Sequence, residues 1–234
     1  RGDWLREESR PSKQRLLFPG VWIYIPLILL LLLFAYRAFT VENNYSFYWR
    51  DPAAIVVTSP WIGLFSSIGV FIGWIGVAIS VFTALVLWRV PNERRRAAFL
   101  LAFGLFTGML ALDDFFMVHE WIVPTYLPLS DNFAFSVYIV IGIVLFITFR
   151  RELLDSPYLV LLLAAGCLAL SVVIDVFVFE WLQQRGLYPR LVLNLEYIVE
   201  DGLKLVGLIA WSHYFALTSF QAIQDNLAKH PAPR

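Results

Sequence analysis

Apolar residues fall into six stretches along the chain, each long enough to cross a lipid bilayer as a helix. These stretches are residues 19–39, 61–88, 97–121, 133–149, 157–181 and 191–217. About 20 helical residues, rising ~1.5 Å each, span the hydrocarbon core, and lipid gives an open backbone no hydrogen-bonding partner. The pattern therefore predicts an all-α fold, a polytopic membrane bundle of six transmembrane helices.

The composition favours the same class of protein. Hydrophobic residues make up 59% of the chain, charged residues make up 15%, and the mean hydropathy is +0.70. These values lie far outside the range of soluble globular domains. The formal net charge is zero, so we expect a lipid bilayer as the surroundings and no nucleic acid as a partner. The single cysteine, Cys167, excludes an intrachain disulfide.

Lysine and arginine are concentrated in every second connecting segment. The basic set, with 13 of them, comprises residues 1–17, 89–96, 150–156 and 221–234. The alternate set, with 3, comprises residues 40–60, 122–132 and 182–190. Cytoplasmic loops carry the excess of basic residues in membrane proteins. We therefore expect an integral membrane protein with both termini in the cytoplasm.

This orientation divides the chain into three parts. Residues 1–17 are predicted to form a cytoplasmic juxtamembrane segment, residues 18–220 a six-helix transmembrane domain, and residues 221–234 a cytoplasmic tail. Spans 3–4 and 5–6 resemble a parallel tandem repeat, because "DFFMVHEWIVPTYLP" from Asp114 matches "DVFVFEWLQQRGLYP" from Asp175. Such a repeat has its axis along the membrane normal.

Ionisable residues lie inside three of the spans, at similar depth. In "LDDFFMVHEW", Leu112 to Trp121, the paired aspartates lie about 16 residues beyond the inner end of the third span, roughly 24–26 Å up. The fifth and sixth spans carry acids in the same outer half. The candidate cation- or metal-binding residues are Asp113, Asp114, His119, Glu120, Asp175, Glu180, Glu196, Glu200 and Asp201. Lys204, one turn deeper than Glu200, is the candidate internal counter-charge.

A carboxylate in the bilayer core costs at least ~2.5–3.5 kcal/mol, so several together must face protein, water or a cation. On an ideal helix, all four groups of the third span cannot face one centre. Two subsets fit the geometry, namely Asp113 with Glu120, or Asp114 beside Asp175. His119 is either a ligand or a hydrogen-bonded residue between helices.

The sixth span places its charges on one helical stripe. Glu196, Glu200 and Lys204 follow at intervals of four residues. An ion pair between Glu200 and Lys204 that orients helices is the purely structural alternative. It leaves the other acids in excess over the single lysine, so these must be protonated, hydrated or balanced by a bound cation.

The donor types restrict the cation. The chain has 3 histidines, which makes a zinc site of three histidines improbable. Carboxylates with at most one imidazole suit Ca²⁺, Mg²⁺, Mn²⁺ or a carboxylate-bridged iron pair. Protons are the alternative, because neighbouring buried carboxylates share protons without any metal.

Short stretches are similar to motifs of two membrane hydrolase families. "EDGLK", Glu200 to Lys204, resembles the Glu-Glu-x-x-Lys motif of the intramembrane glutamate proteases related to prenyl-protein endopeptidases. "FFMVHE" satisfies their Phe-x-x-x-His pattern through Phe115 and His119, but the order of the two motifs is reversed here. Asp and His within membrane helices also resemble the ceramidase and adiponectin-receptor-like hydrolases, whose late pair of histidines this chain lacks. We assign the chain to neither family.

The second span carries a stripe of small residues. Gly69, Gly73, Gly76 and Ser80 would let another helix approach closely. Packing within the chain is the favoured use of this stripe. A contact in a homo-oligomer, or with a partner in a membrane complex, is the alternative.

Three functions fit these patterns. The first is a cation- or proton-binding site in the outer half of the bilayer that serves ion translocation. The second is a metal-dependent membrane enzyme that acts on a lipid or other apolar substrate, with a metal-bound water or oxygen. The third is a structural subunit of a membrane complex, in which the charges only pair between helices.

Overall fold

Helices account for all regular secondary structure in the part of the chain that the computed structural model describes, where no β-strand occurs. The described residues are 25, 28–37, 40, 56, 58–59, 61–127, 129, 131–186 and 190–229. Several side chains within these ranges, including those of Glu120, Asp175, Glu180 and Glu196, lie outside the described part. The prediction of an all-α fold is confirmed.

The chain divides into two units, Arg1–Ile62 and Gly63–Arg234. In the first unit, residues Ile28–Arg37 form an apolar helix within the first predicted span. Its large side chains are exposed; Leu29 and Leu32, for example, are 61% and 62% accessible. The Thr40 hydroxyl donates a hydrogen bond of 2.8 Å to the Tyr36 carbonyl.

The described part of the second unit contains eight α-helices and two π-helical segments. The α-helices are α1 (Leu64–Leu87), α2 (Arg94–Phe116), α3 (Val123–Tyr126), α4 (Asp131–Thr148), α5 (Arg150–Leu154), α6 (Tyr158–Val173), α7 (Phe179–Gln184) and α8 (Arg190–Lys229). The π-helical segments are Val118–Ile122, after α2, and Ile174–Val178, after α6. The predicted second, fourth and sixth spans fall on α1, α4 and α8, whereas the predicted third and fifth spans begin in α2 and α6 and continue into π-helical segments. Helix α1 packs against α2 and α8, and α8 also packs against α6.

Two of the described helices, α1 and α2, are long and apolar enough to cross a bilayer by length and composition. Shorter apolar helices cover Ile28–Arg37, Ser136–Thr148 and Tyr158–Val173. The predicted fifth span is divided because α6 gives way to π-helical structure at Ile174. The third span is interrupted in the same way after Phe116.

Aromatic side chains fill the interior at the end of the bundle where α2 begins. Phe99, Phe103 and Phe215 are fully buried, and the rings of Phe99 and Phe103 lie 5.1 Å apart between centroids. Tyr214 is also fully buried, and its hydroxyl lies 2.7 Å from the Ser156 hydroxyl. Tight packing of large rings excludes water, so this aromatic core closes one end of the bundle.

The small-residue stripe of the second span is used inside this unit. Gly69, Gly73, Gly76 and Ser80 are all buried. A Cβ atom at Gly76 would come within 2.8 Å of the Ser212 hydroxyl oxygen, which itself donates to the Ile72 carbonyl at 2.8 Å. A side chain at position 76 would have to displace the Ser212 hydroxyl, so the glycine favours the close approach of α1 and α8 that the sequence predicts.

Ion pairs connect three helices at the aromatic-core end. We call them the basic-end ion pairs; they are Arg95–Glu152, Arg96–Asp225 at 2.8 Å and Lys229–Glu93 at 2.8 Å. They join the start of α2 to α5 and to the last turns of α8. Helix α8 continues to Lys229, beyond the predicted end of the sixth span at residue 217, because these pairs and the buried Ala222 hold its last turns.

Candidate functional site

The regular helix α2 ends at an unusual backbone conformation in the middle of "LDDFFMVHEW". Met117 is left-handed, with φ 49° and ψ 48°. Residues other than glycine adopt this conformation at a cost of roughly 1–2 kcal/mol. The next turn is π-helical, since the N–H groups of Trp121 and Ile122 both donate to the Met117 carbonyl, at 2.9 and 3.3 Å. Neighbouring contacts must stabilise this break.

Asp113 supplies those contacts. One carboxylate oxygen accepts the His119 backbone N–H at 2.9 Å and the Tyr138 hydroxyl at 2.8 Å. The other oxygen lies 2.5 Å from His119 Nδ1. The side chains of Asp113 and His119 are only 8% and 12% exposed. We call Asp113, His119 and Tyr138 the Asp113 cluster; it joins α2, the first π-helical segment and α4.

The break also brings together two residues that a regular helix would separate. Six residues along an ideal helix place two side chains about 120° apart. The left-handed turn at Met117 removes that separation, so Asp113 and His119 meet. The subsets predicted from ideal geometry did not include this pair.

Asp114 forms a second contact, in a different direction. Its carboxylate makes an ion pair with Lys204 of α8, with side chains 20% and 36% exposed. The Asp114–Lys204 pair therefore connects α2 to α8. Asp201, one turn before Lys204, is exposed.

Hydrogen bonds also fix α8 against its other neighbours. The Ser171 hydroxyl of α6 donates to the Glu200 backbone carbonyl at 3.1 Å. About three turns further along α8, the Trp211 indole N–H donates to the Thr107 hydroxyl at 2.9 Å. These contacts position one face of α8 towards α2 and α6.

A cavity of about 580 Å³ lies between these helices; we call it the central cavity. The ionisable lining residues that the structure describes gather towards one end and are Asp113, Asp114, His119, Tyr138, Glu200 and Lys204. The remaining wall is mostly apolar, with Phe106, Phe146 and Trp211 towards the aromatic core. A space of this kind suits a molecule with a polar and an apolar part.

The structure brings together five of the predicted site residues. Asp113, Asp114, His119, Glu200 and Lys204 all line the central cavity. Asp201 instead lines a small side pocket next to Asp114 and Lys204.

Four predicted residues lie outside the described side chains, namely Glu120, Asp175, Glu180 and Glu196. Among the side chains that are described, no three of His, Cys, Asp and Glu form a group that could hold a metal ion. The predicted divalent metal site, with Ca, Mg, Mn or Fe and with zinc disfavoured, therefore stays a prediction.

Three hydroxyl residues that line the central cavity, Thr107, Tyr138 and Ser171, were not predicted; the clearest signals belong to Tyr138 and Ser171. Tyr138 donates to Asp113, and Ser171 lines the central cavity. Both carry a signal in the sequence, because each is a hydroxyl residue inside an otherwise apolar stretch, in "SVYIV" and "LALSVV". Isolated hydroxyl groups within apolar helices often bond between helices.

Comparison of the chain with known proteins gives one result at the level of the family. No curated protein and no solved structure matches it. A family model described as "Domain of unknown function (DUF8692)" matches residues 22–218, which is most of the chain. The chain belongs to the DUF8692 family.

Proposed function

We propose that this chain is an integral membrane protein of six spans with both termini in the cytoplasm. Large apolar side chains point outward along the helices of the second unit, where a bilayer would cover them. Examples are Phe71, Phe82 and Leu85 on α1 and Leu159, Leu162 and Leu163 on α6. The distribution of lysine and arginine supports this orientation.

We also propose that spans 3–4 and 5–6 are a parallel repeat. The two spans that carry the repeated Asp, α2 and α6, both give way to a π-helical segment, at Val118 and at Ile174. Relative to the matched Asp114 and Asp175, the second π-helical segment begins five residues earlier than the first. Interrupted helices in corresponding positions of two halves often mark the binding site of a transporter.

The function that the geometry supports best is proton-coupled ion translocation through the central cavity. The observation that carries it is that two adjacent carboxylates, each bonded to a different helix, face one cavity. A proton on Asp114 removes the negative charge that holds Lys204. A proton added to the Asp113 cluster changes the bonds between α2, the π-helical segment and α4. Proton binding is thus coupled to contacts between helices.

The closed end of the bundle fits this function. The aromatic core fills the interior between the central cavity and the basic-end ion pairs, with Phe103 and Phe215 almost completely buried. Transporters of this general kind open their site to one side of the membrane at a time. In the proposed orientation, this aromatic core would close the site towards the cytoplasm.

Proton flux into liposomes tests the proposal. Purified protein is reconstituted with an internal pH-sensitive dye, and a potassium diffusion potential of negative interior sign drives proton entry. Asp113→Asn and Asp114→Asn are each expected to slow the flux at least about tenfold, because an amide does not exchange protons in this range. Asp225→Asn, an exposed acid in a basic-end ion pair, is the matched control and keeps the flux.

Equal flux through wild type, Asp113→Asn and Asp114→Asn would refute proton-coupled translocation. A second candidate function is then an enzyme that acts on a lipid or other apolar substrate. The contact between Asp113 and His119 favours it, because a carboxylate bonded to one ring nitrogen orients an imidazole as a metal ligand through the other. In that enzyme, His119 and the predicted acids hold a metal ion, so elemental analysis separates the two functions. A stoichiometric transition metal favours the enzyme.

A further inference from the structure

The shape and charge of the central cavity indicate what it binds. We propose that the cavity takes an amphipathic organic cation, an ammonium group on an apolar or aromatic body, and that this cation competes with protons. The inference rests on the proposed function and names the class of its substrate. Three features of the cavity support it.

The first feature is the size of the cavity. Its volume of about 580 Å³ lies within the range of roughly 300–1,000 Å³ that is usual for small-molecule sites. Along α8 the lining residues extend from Glu200 to Trp211, a distance of about 16 Å at the helical rise. An inorganic ion or a lone proton would leave most of this volume empty.

The second feature is the separation of polar and apolar walls. Charged groups gather near Glu200 and Lys204, whereas rings of Phe106, Phe146 and Trp211 lie further along the cavity. Aromatic faces attract organic cations by cation–π interaction, and they also pack against an apolar body. A ligand with one charged end is therefore oriented along the cavity.

The third feature is the sign of the charge. Among the described side chains, the carboxylates of Asp113, Asp114 and Glu200 line the cavity with one ammonium group, that of Lys204. The other ionisable lining groups are His119 and Tyr138, while the described lining residues of α1 and α6 are apolar or small, or carry a hydroxyl. Three carboxylates outnumber the Lys204 ammonium and the His119 imidazole together, so the field favours a positive head group over a negative one.

Three probes with the same tail test the sign of the head group. They are 4-phenylbutyl-trimethylammonium, 4-phenylbutan-1-ol and 5-phenylpentanoate, titrated calorimetrically into the full chain in lipid nanodiscs. We expect the ammonium probe to bind at least about tenfold more tightly than the alcohol, and the carboxylate probe most weakly. Equal binding of the three probes, or tightest binding of the carboxylate, would overturn the inference.

Substitutions at the polar end of the central cavity are expected to change the affinity for the ammonium probe in opposite directions. Lys204→Met removes the competing ammonium and is expected to raise the affinity for the ammonium probe, whereas Asp114→Asn and Glu200→Gln lower it. Gly142→Leu tests whether the probes bind inside the central cavity, because a Cβ at Gly142 would already lie 3.5 Å from the Phe106 ring. The leucine side chain is expected to fill part of the cavity and to weaken the binding of all three probes. Asp225→Asn changes none of these affinities.

The pH dependence separates this inference from the proposed function. The quaternary ammonium probe keeps its charge at every pH, so a loss of affinity on acidification reports protons on the protein. If the ammonium probe binds with an affinity that does not depend on pH, the result supports an organic cation as the ligand and contradicts proton coupling. If proton flux depends on Asp113 and Asp114 but the ammonium probe does not bind, the inference of an organic cation is wrong. The proposed function then still stands.

Discussion

At the scale of single residues, the paired aspartates of α2 have different partners. Neighbouring residues on a helix point about 100° apart, so Asp113 faces α4 while Asp114 faces α8. Asp113 accepts hydrogen bonds that hold a backbone break, and Asp114 makes an ion pair between helices. The two aspartates therefore take part in different contacts between helices. Asp113→Asn and Asp114→Asn are expected to break different contacts and so to differ in effect.

Tyr138→Phe tests the contact between α2 and α4. The variant removes one hydrogen bond to the Asp113 carboxylate and is expected to lower the free energy of unfolding by about 1–2 kcal/mol. Equilibrium unfolding in mixed micelles measures this difference. Tyr158→Phe, at an exposed position at the start of α6, is the matched control and should leave stability unchanged. Equal stability of Tyr138→Phe and wild type would show that the hydrogen bond contributes nothing.

The residues of the site could be predicted only in part. Asp113, Asp114 and Lys204 are visible in the sequence because charge is rare within apolar stretches. The partner of Lys204 is Asp114 from another helix, and spacing along one helix cannot indicate such a pair. Tyr138 carries a weaker signal than these charges, because tyrosine is also common near membrane interfaces, and position alone does not distinguish that role from a hydrogen bond between helices.

At the scale of elements, the break at Met117 defines the geometry of the site. A left-handed methionine costs free energy, and the hydrogen bonds of Asp113 to His119 and Tyr138 offset that cost. Backbone strain of this kind persists where the surrounding structure requires it, which is common at functional sites. The sequence has no glycine or proline at this position to indicate a break.

Met117→Gly distinguishes the break from a continuous helix. Glycine adopts the left-handed conformation without strain, so the variant is expected to stabilise the protein by about 0.5–1 kcal/mol. The Met117 side chain is 53% exposed, so little packing is lost. Leu105→Gly, at an exposed position inside α2, should instead destabilise by about 1 kcal/mol. Destabilisation by Met117→Gly of that same size would argue for a regular helix at this position.

Hydropathy predicted the helices better than their internal form. The second span was predicted at 61–88 and α1 covers Leu64–Leu87, because the ends of an apolar stretch coincide with its polar flanks. The π-helical segments depend on side-chain contacts between distant residues, which hydropathy does not report. The last turns of α8 were assigned to a tail because they are polar, yet Ala222 packs in the core and Lys229 pairs with Glu93.

At the scale of the whole molecule, the two ends of the second unit differ in chemistry. One end has the aromatic core with the basic-end ion pairs, and the other has the central cavity with its carboxylates. In the proposed orientation, the basic end lies in the cytoplasm and the cavity lies in the outer half of the bilayer. This asymmetry agrees with a site that exchanges protons with the outer side.

Cysteine labelling in intact cells tests this orientation. In a Cys167→Ala background, Tyr126→Cys places a thiol at an exposed position beyond α2, and Pro91→Cys places one before it. A membrane-impermeant maleimide is expected to label Tyr126→Cys directly and Pro91→Cys only after permeabilisation. The reverse pattern would place the basic segments outside, and direct labelling of both variants would exclude a span between them.

The basic-end ion pairs have a mechanical consequence. Arg96 with Asp225, and Lys229 with Glu93, tie the start of α2 to the last turns of α8, far from the point where Lys204 meets Asp114. If the Asp114–Lys204 ion pair opens, the basic-end ion pairs would still hold the two helices together at their other ends, so α2 and α8 would separate by rotating about those ends. In the proposed orientation, the cytoplasmic ends of α2 and α8 would then act as the pivot, and the separation of the two helices would be largest near Asp114 and Lys204.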